Sequence, residues 1–146
     1  MEIKTKYHDT MNIEKNRILN FEKGIPGLPE DKEYILLPLV EAGSYQVLQS
    51  ISDKEIAFIV VSPFVLKPDY DITLDPKTLQ QLDINSEEDV IVFSIITLRE
   101  PFENSTMNLV APVVINQKNR KAKQVVLQNT KYTIREPLNV PATEKG

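Results

Sequence analysis

Two short runs of this chain are apolar at both parities: residues 56–61, Ile-Ala-Phe-Ile-Val-Val, and residues 90–96, Val-Ile-Val-Phe-Ser-Ile-Ile. Successive side chains of a strand point to opposite faces. A strand that is apolar on both faces must be covered on both, so these two segments are expected at the centre of the fold. Other stretches rich in β-branched and aromatic residues surround them, at 2–8, 12–21, 33–40, 45–51, 107–116 and 124–128, parted by short polar segments. Many short strands with turn signals between them form the pattern of a sandwich or barrel. In 45–51, Tyr45, Val47, Gln49 and Ile51 alternate with Gln46, Leu48 and Ser50, a mixed pattern that reads as a half-exposed strand. Pro38 and Pro112 fall inside strand-like runs. Proline lacks the ladder donor, so both are expected at edges or bulges.

One short helix is expected. Asp75 suits the cap, Pro76 the first helical position, and Leu79 and Leu82 share a face. Ser86-Glu87-Glu88-Asp89 can add one turn. Strands on both sides of a single helical insertion argue against βαβ repeats and for a mostly antiparallel sheet closed or folded on itself. The fold class is therefore mostly β: a small single-domain antiparallel β-barrel-like fold with one short helix. The domain spans residues 1–137. Pro137 and Pro141, with few apolar residues around them, mark residues 138–146 as an extended or disordered C-terminal tail. The segment Gly24-Ile25-Pro26-Gly27-Leu28-Pro29 holds two of the four glycines. Glycine there supplies positive φ and proline fixes φ, so a rigid, shaped loop is expected.

At 146 residues, one domain buries roughly 70% of its unfolded surface, enough for a core without staples. There is no Cys, which excludes disulfides, Cys-type zinc sites and thiol catalysis. The start, Met1-Glu2-Ile3-Lys4-Thr5-Lys6, lacks the basic-then-apolar pattern of a signal peptide. No apolar run approaches the roughly 20 residues of a membrane span. The expected compartment is the cytoplasm, with no membrane partner. The net charge of -4 and pI of about 5.1 run against the basic footprint of a nucleic-acid binder and favour a basic protein partner or no charged partner at all.

Chemistry-bearing constellations are sparse. His8 is the only histidine. A triad would have to use it, beside Asp9 and an unidentified Ser, and a zinc site would be poorly served. Glu30-Asp31-Lys32-Glu33 and Glu87-Glu88-Asp89 read as solvated loops and a helix N-terminus, without the spacing of a calcium loop. Gly24 and Gly27 precede no Gly-Lys-Ser/Thr motif, so no phosphate cradle is expected. No catalytic, cofactor-binding or metal-ligating residue is assigned. The run Lys118-Asn119-Arg120-Lys121-Ala122-Lys123 reads as a hairpin loop protecting an edge with charge. Direct RNA binding through it stays open, although no aromatics are interleaved for base stacking. So does a hydrolase that uses His8. Residues 64–71, Phe-Val-Leu-Lys-Pro-Asp-Tyr-Asp, combine apolar, aromatic and carboxylate groups around prolines. Interface cores favour aromatics with charge at the rim. Phe64, Asp69, Tyr70 and Asp71 are therefore the candidate partner-binding residues. The alternative is a crossover loop whose Phe64 and Tyr70 plug the core.

Several blocks taken together resemble a known family. They are Thr5-Lys6-Tyr7-His8; Phe21-Glu22-x-Gly24-Ile25-Pro26-Gly27; Leu36-Leu37-Pro38-Leu39; Leu48-Gln49-Ser50; Ala57-Phe58-Ile59-Val60 leading to Pro63-Phe64; and Asp69-Tyr70. Asn108-Leu109-x-Ala111-Pro112-x-x-Ile115-Asn116 and Asn119-Arg120-Lys121 followed by Gln124-Val125-Val126-Leu127 complete them. In order and spacing, over about residues 1–137, the chain resembles FliW, the flagellar assembly factor of bacteria. That resemblance implies a compact β-barrel-like domain and a non-enzymatic regulator. It implies two cytoplasmic partners, flagellin and the RNA-binding translational regulator CsrA. When flagellin is exported, the freed protein would capture CsrA and relieve repression of flagellin translation. The family supplies no short contact motif, so Phe64, Asp69, Tyr70 and Asp71 rest on the physical argument alone.

Overall fold

The computed structural model describes residues 1–39, 45–128 and 130–138. Its strands are short: β1 (Glu2–Ile3), β2 (Met11–Asn12), β3 (Leu19–Phe21), β4 (Glu33–Pro38), β5 (Gln46–Ser50), β6 (Ala57–Val61), β7 (Val90–Thr97), β8 (Thr106–Met107), β9 (Val113–Asn116), β10 (Lys121–Gln124) and β11 (Glu136–Pro137). Two short helices, α1 (Pro63–Leu66) and α2 (Pro76–Gln81), lie between β6 and β7. The pairing runs β3-β4-β5-β6-β7-β9-β10 and returns from β10 to β3, which closes a barrel. All of these contacts are antiparallel except the closing one, where β10 lies parallel to β3. β8 continues the β9 side of β7 beyond the barrel, and β11 pairs with β8.

Period-2 alternation divides the barrel wall into an inner and an outer face. Leu19, Phe21, Tyr34, Leu48, Val60, Phe93, Val113, Ile115 and Ala122, drawn from all seven barrel strands, fill the interior as one cluster. The alternate residues Ile35, Leu37, Val47, Ile59, Val61 and Ile96 face outward and are covered in turn. Ile3, Ile13, Tyr70, Met107, Leu109 and Leu138 form the layer over them. A third cluster sets Leu82, just after α2, against Val114 and Val125. The two runs apolar at both parities are β6 and β7, central in the wall and covered on both faces, as expected.

The sequence pattern differs from the structure in several places. Residues 45–51 do not form a half-exposed strand: β5 is buried at Val47, Leu48, Gln49 and Ser50. The N-terminal stretches 2–8 and 12–21 yield only β1, β2 and β3, with a one-turn 3-10 helix at Lys15–Arg17. The run 107–116 divides into β8 and β9, and of 124–128 only Gln124 stays in a strand. Pro38 is the last residue of β4 and pairs with Gln46. Its other side has no strand neighbour, because β3 pairs only as far as Tyr34, so the missing N–H costs nothing. Pro112 stands just before β9, where its carbonyl accepts the Val125 N–H at 2.9 Å.

The helix over α2 forms as read: Asp75 Oδ1 accepts the Thr78 N–H at 2.8 Å and Pro76 occupies the first turn. Hydrogen bonding by the Thr78 side chain, and next by its N–H, holds the Asp75 carboxyl below the usual range. The one turn expected near Ser86 is the 3-10 turn Glu87–Asp89, with Ser86 Oγ accepting from Glu88 N–H. In the Gly-Pro loop, Gly24 has φ +69° and an added Cβ would stand 2.5 Å from the Leu28 carbonyl oxygen. Only glycine fits there without moving backbone. Leu138, placed in the tail by the sequence reading, is buried in the outer layer next to β11. Residues 139–146 of that tail lie outside the described residues.

Candidate partner-docking surface

The strongest candidate surface is where the chain leaves β6. Pro63 opens α1, and its carbonyl accepts the Lys67 N–H at 2.8 Å, which ends the helix after one turn. So short a helix buries little: Phe64 is 41% exposed and Val65 58%. A turn closed by Tyr70 N–H on the Lys67 carbonyl, 2.9 Å, then drives Tyr70 inward. Its ring lies 5.5 Å from Phe64 and 4.6 Å from Tyr132, centroid to centroid. Its hydroxyl donates to the Leu109 carbonyl at 2.8 Å. Burial, and secondarily Tyr132, push that phenol well above its ordinary range. Asp71 N–H donates to the Tyr132 hydroxyl at 2.9 Å, and Lys67 pairs with Glu136 on β11 at 3.1 Å. The loop is therefore stapled to the outer layer at three points.

The four candidate residues divide by role. Tyr70 is buried scaffold. Phe64, Asp69 and Asp71 are exposed. Neither carboxylate takes part in an ion pair among the described residues, where the pairs are Lys67–Glu136, Lys118–Asp89 and Lys121–Asp83. Phe64 and Asp71 also border a groove with a volume of about 700 Å³. Ile72, Thr73 and Leu74 line it on one side, with Leu79 and Ile84 beyond, and residues 90–93 of β7 line the other. The sequence signal for this groove was the apolar content of β7, which reads as core. That β7 leaves part of an edge open was not visible in it.

The remaining candidates sit apart from this surface. His8 Nε2 lies 2.9 Å from the Pro38 carbonyl and donates to it in the tautomer protonated there. Its backbone N–H donates to Thr5 Oγ1 at 2.9 Å, and Thr5 Oγ1 in turn donates to the Asp9 carbonyl at 3.0 Å. The ring thus helps tie the N-terminal segment to the end of β4. Among the described residues no group of three or more His, Cys, Asp or Glu side chains could hold a metal ion. Nor is any helix there long and apolar enough to cross a membrane.

The basic run does form a hairpin, with its turn at 117–120, but it does not protect an edge. β10 begins at Lys121 and is paired on both sides, with β9 and with β3. Barrel closure between residues about a hundred positions apart leaves no local trace in the sequence. Three of its four cations are engaged: Lys118 with Asp89 at 3.8 Å, Lys121 with Asp83 at 2.5 Å, and Lys123 with Gln81 Oε1 at 2.5 Å. The hydrogen bond to Asp83 holds the Lys121 ammonium above its ordinary range.

Comparison with known proteins agrees with the architecture. The family model described as "FliW protein" matches residues 2–138. The flagellar assembly factor FliW of Bacillus subtilis is 49% identical over 138 residues, 94% of this chain and 96% of that protein. Its counterpart from Geobacillus kaustophilus is 46% identical over 132 residues, 90% of this chain and 91% of that protein. A crystal structure of the flagellar assembly factor FliW superposes with a TM-score of 0.92 at 41% identity, covering 97% of this chain and 99% of that one. With the match spanning the whole barrel and its outer layer, the chain belongs to the FliW family.

Proposed function

We propose that the chain is a flagellar assembly factor that acts by binding, not by catalysis. In the cytoplasm it binds flagellin. When flagellin is exported, it binds CsrA and relieves repression of flagellin translation. Two competing equilibria suffice for such a switch: each partner lowers the free protein available to the other by mass action. Family membership and the residue blocks of the resemblance support this reading. For the contact surface, the observation that carries it is the solvent-exposed Phe64 ring held against buried Tyr70, with the unpaired carboxylates of Asp69 and Asp71 beside it. An aromatic anchor with an acidic rim suits the basic surroundings of an RNA-binding protein.

Size-exclusion chromatography with flagellin, with CsrA and with both tests the switch: each should co-elute, and one should displace the other. For the surface, Asp69→Lys with Asp71→Lys is expected to weaken CsrA binding about tenfold or more at low salt and less at moderate salt, since rim charges act mainly on association rate. Both side chains are exposed, so the circular dichroism spectrum should be unchanged. Undiminished affinity in the folded double variant would reject this surface.

A further inference from the structure

The barrel wall splays where β6 meets β7. The two strands pair only at Val60–Ile95 and Val61–Ser94. Past Val61 the chain turns away into α1, whereas β7 extends on to Phe93, Val92, Ile91 and Val90. On their far side these four residues pair with β9. On the near side they face the groove.

Backbone direction follows from a single bond. The Ile95 carbonyl accepts the Asn108 N–H at 3.0 Å, on the β8 and β9 side. Alternation along an antiparallel strand then turns the N–H and C=O of Val92 the other way, into the groove. Continuing the β6 register would set Pro63 opposite Val92. Proline has no N–H to offer, and its carbonyl already accepts from Lys67. Residues 72–74, across the groove, make no backbone hydrogen bond to β7. The charged residues that line the groove, Asp71 and Glu87, are both acidic.

We infer that this groove accepts an extended segment of a partner protein as an added strand along β7. The segment has apolar side chains at alternate positions and Lys or Arg at its ends. The open edge supplies main-chain hydrogen bonds at Val92, the apolar lining takes alternate side chains, and Asp71 and Glu87 select the flanking charge. A helix has no free main-chain groups to offer such an edge, so the occupant is extended. This inference deepens the docking surface proposed above and rests on it.

The full chain, isotope-labelled, is titrated with a terminally blocked eight-residue peptide in which Val alternates with Thr between two terminal Lys. In the free protein the Val92 amide should exchange with solvent faster than that of Phe93, and the peptide should slow its exchange at least tenfold. The same peptide N-methylated at its Val residues should bind at least tenfold more weakly, as should a version with terminal Glu. Asp71→Lys with Glu87→Lys should reverse the charge preference. No binding of the Lys peptide, binding without protection of Val92, or equal binding of the N-methylated peptide would each overturn strand addition. Chromatography with CsrA and flagellin is run in parallel. If those complexes form while the peptide arms fail, strand addition alone falls. If Val92 is protected by the peptide but neither protein co-elutes, the partner assignment falls.

Discussion

Two buried tyrosines show how one functional group has opposite consequences in two settings. The Tyr70 hydroxyl donates to the Leu109 carbonyl, whereas the Tyr34 hydroxyl, inside the barrel and edge-on to Phe21 at 5.1 Å, has no hydrogen-bond partner among the described residues. Tyr70→Phe leaves a buried carbonyl unpaired and should cost about 1–3 kcal/mol in urea unfolding. Tyr34→Phe removes an unpaired hydroxyl and should be neutral or stabilising by up to about 1 kcal/mol. The same residues set an alkaline limit. Burial pushes the Tyr34 phenol up to about 12, with smaller contributions from Asp31 and Asp53. An unfolded tyrosine titrates near 10. Above that pH the unfolded chain releases the proton first, so stability is complete below pH 10 and falls between pH 10 and about 12. The urea midpoint should drop across that window, less steeply in Tyr34→Phe. Identical slopes in the variant and the parent chain would show that Tyr34 ionises freely in the fold.

At the scale of single elements, β5 is where local pattern and structure part. Gln49 gives the strand its half-exposed appearance, yet the side chain is fully buried. Its Oε1 accepts the Lys6 N–H at 2.9 Å, and its Nε2 donates to the carbonyls of Ser50 and Lys54, each at 3.1 Å. The amide thus satisfies backbone groups of the N-terminal segment and of the turn after β5. A buried polar residue with all its partners in place is compatible with a core, and composition cannot distinguish it from an exposed one. Gln49→Leu should cost about 2–3 kcal/mol, because several backbone groups lose their partner at once. It should also raise amide exchange at Lys6, which a purely local packing defect would not do. What was legible elsewhere follows the same logic. β6, β7 and α2 were read correctly because uniform apolarity, or an Asp-Pro cap, encodes them locally. α1 was missed because a single turn between Ser62 and Lys67 has no periodicity to detect. Of the candidate docking residues, the exposed Asp69 and Asp71 and the buried Tyr70 fit the reading of a loop that plugs the core, but Phe64, which that reading also buries, is exposed. The groove beside them was not legible, because it depends on where β6 stops pairing.

For the molecule as a whole, double coverage of the barrel wall explains why so small a chain needs no disulfide. One cluster fills the barrel and a second lies over its outer face, and both form from adjacent positions on the same strands. On β4, Ile35 faces outward at 2% exposure, and on the adjoining strand β5, Leu48, which pairs with Leu36, faces inward at 1%. If the N-terminal hairpin, the Tyr70 loop and Leu138 form a true second core, truncation on either side should cost alike. Ile35→Ala and Leu48→Ala are each expected to lose about 2–5 kcal/mol by urea unfolding. In a one-layered barrel with a solvated exterior, the outward position would respond as a surface site, within about 0.5 kcal/mol. The comparison also bears on function, because Tyr70 belongs to the outer layer and Phe64 rests against it. A costly Ile35→Ala would mean that the docking surface is mounted on packed core, so that partner contacts start from a fixed geometry instead of ordering a mobile loop on binding.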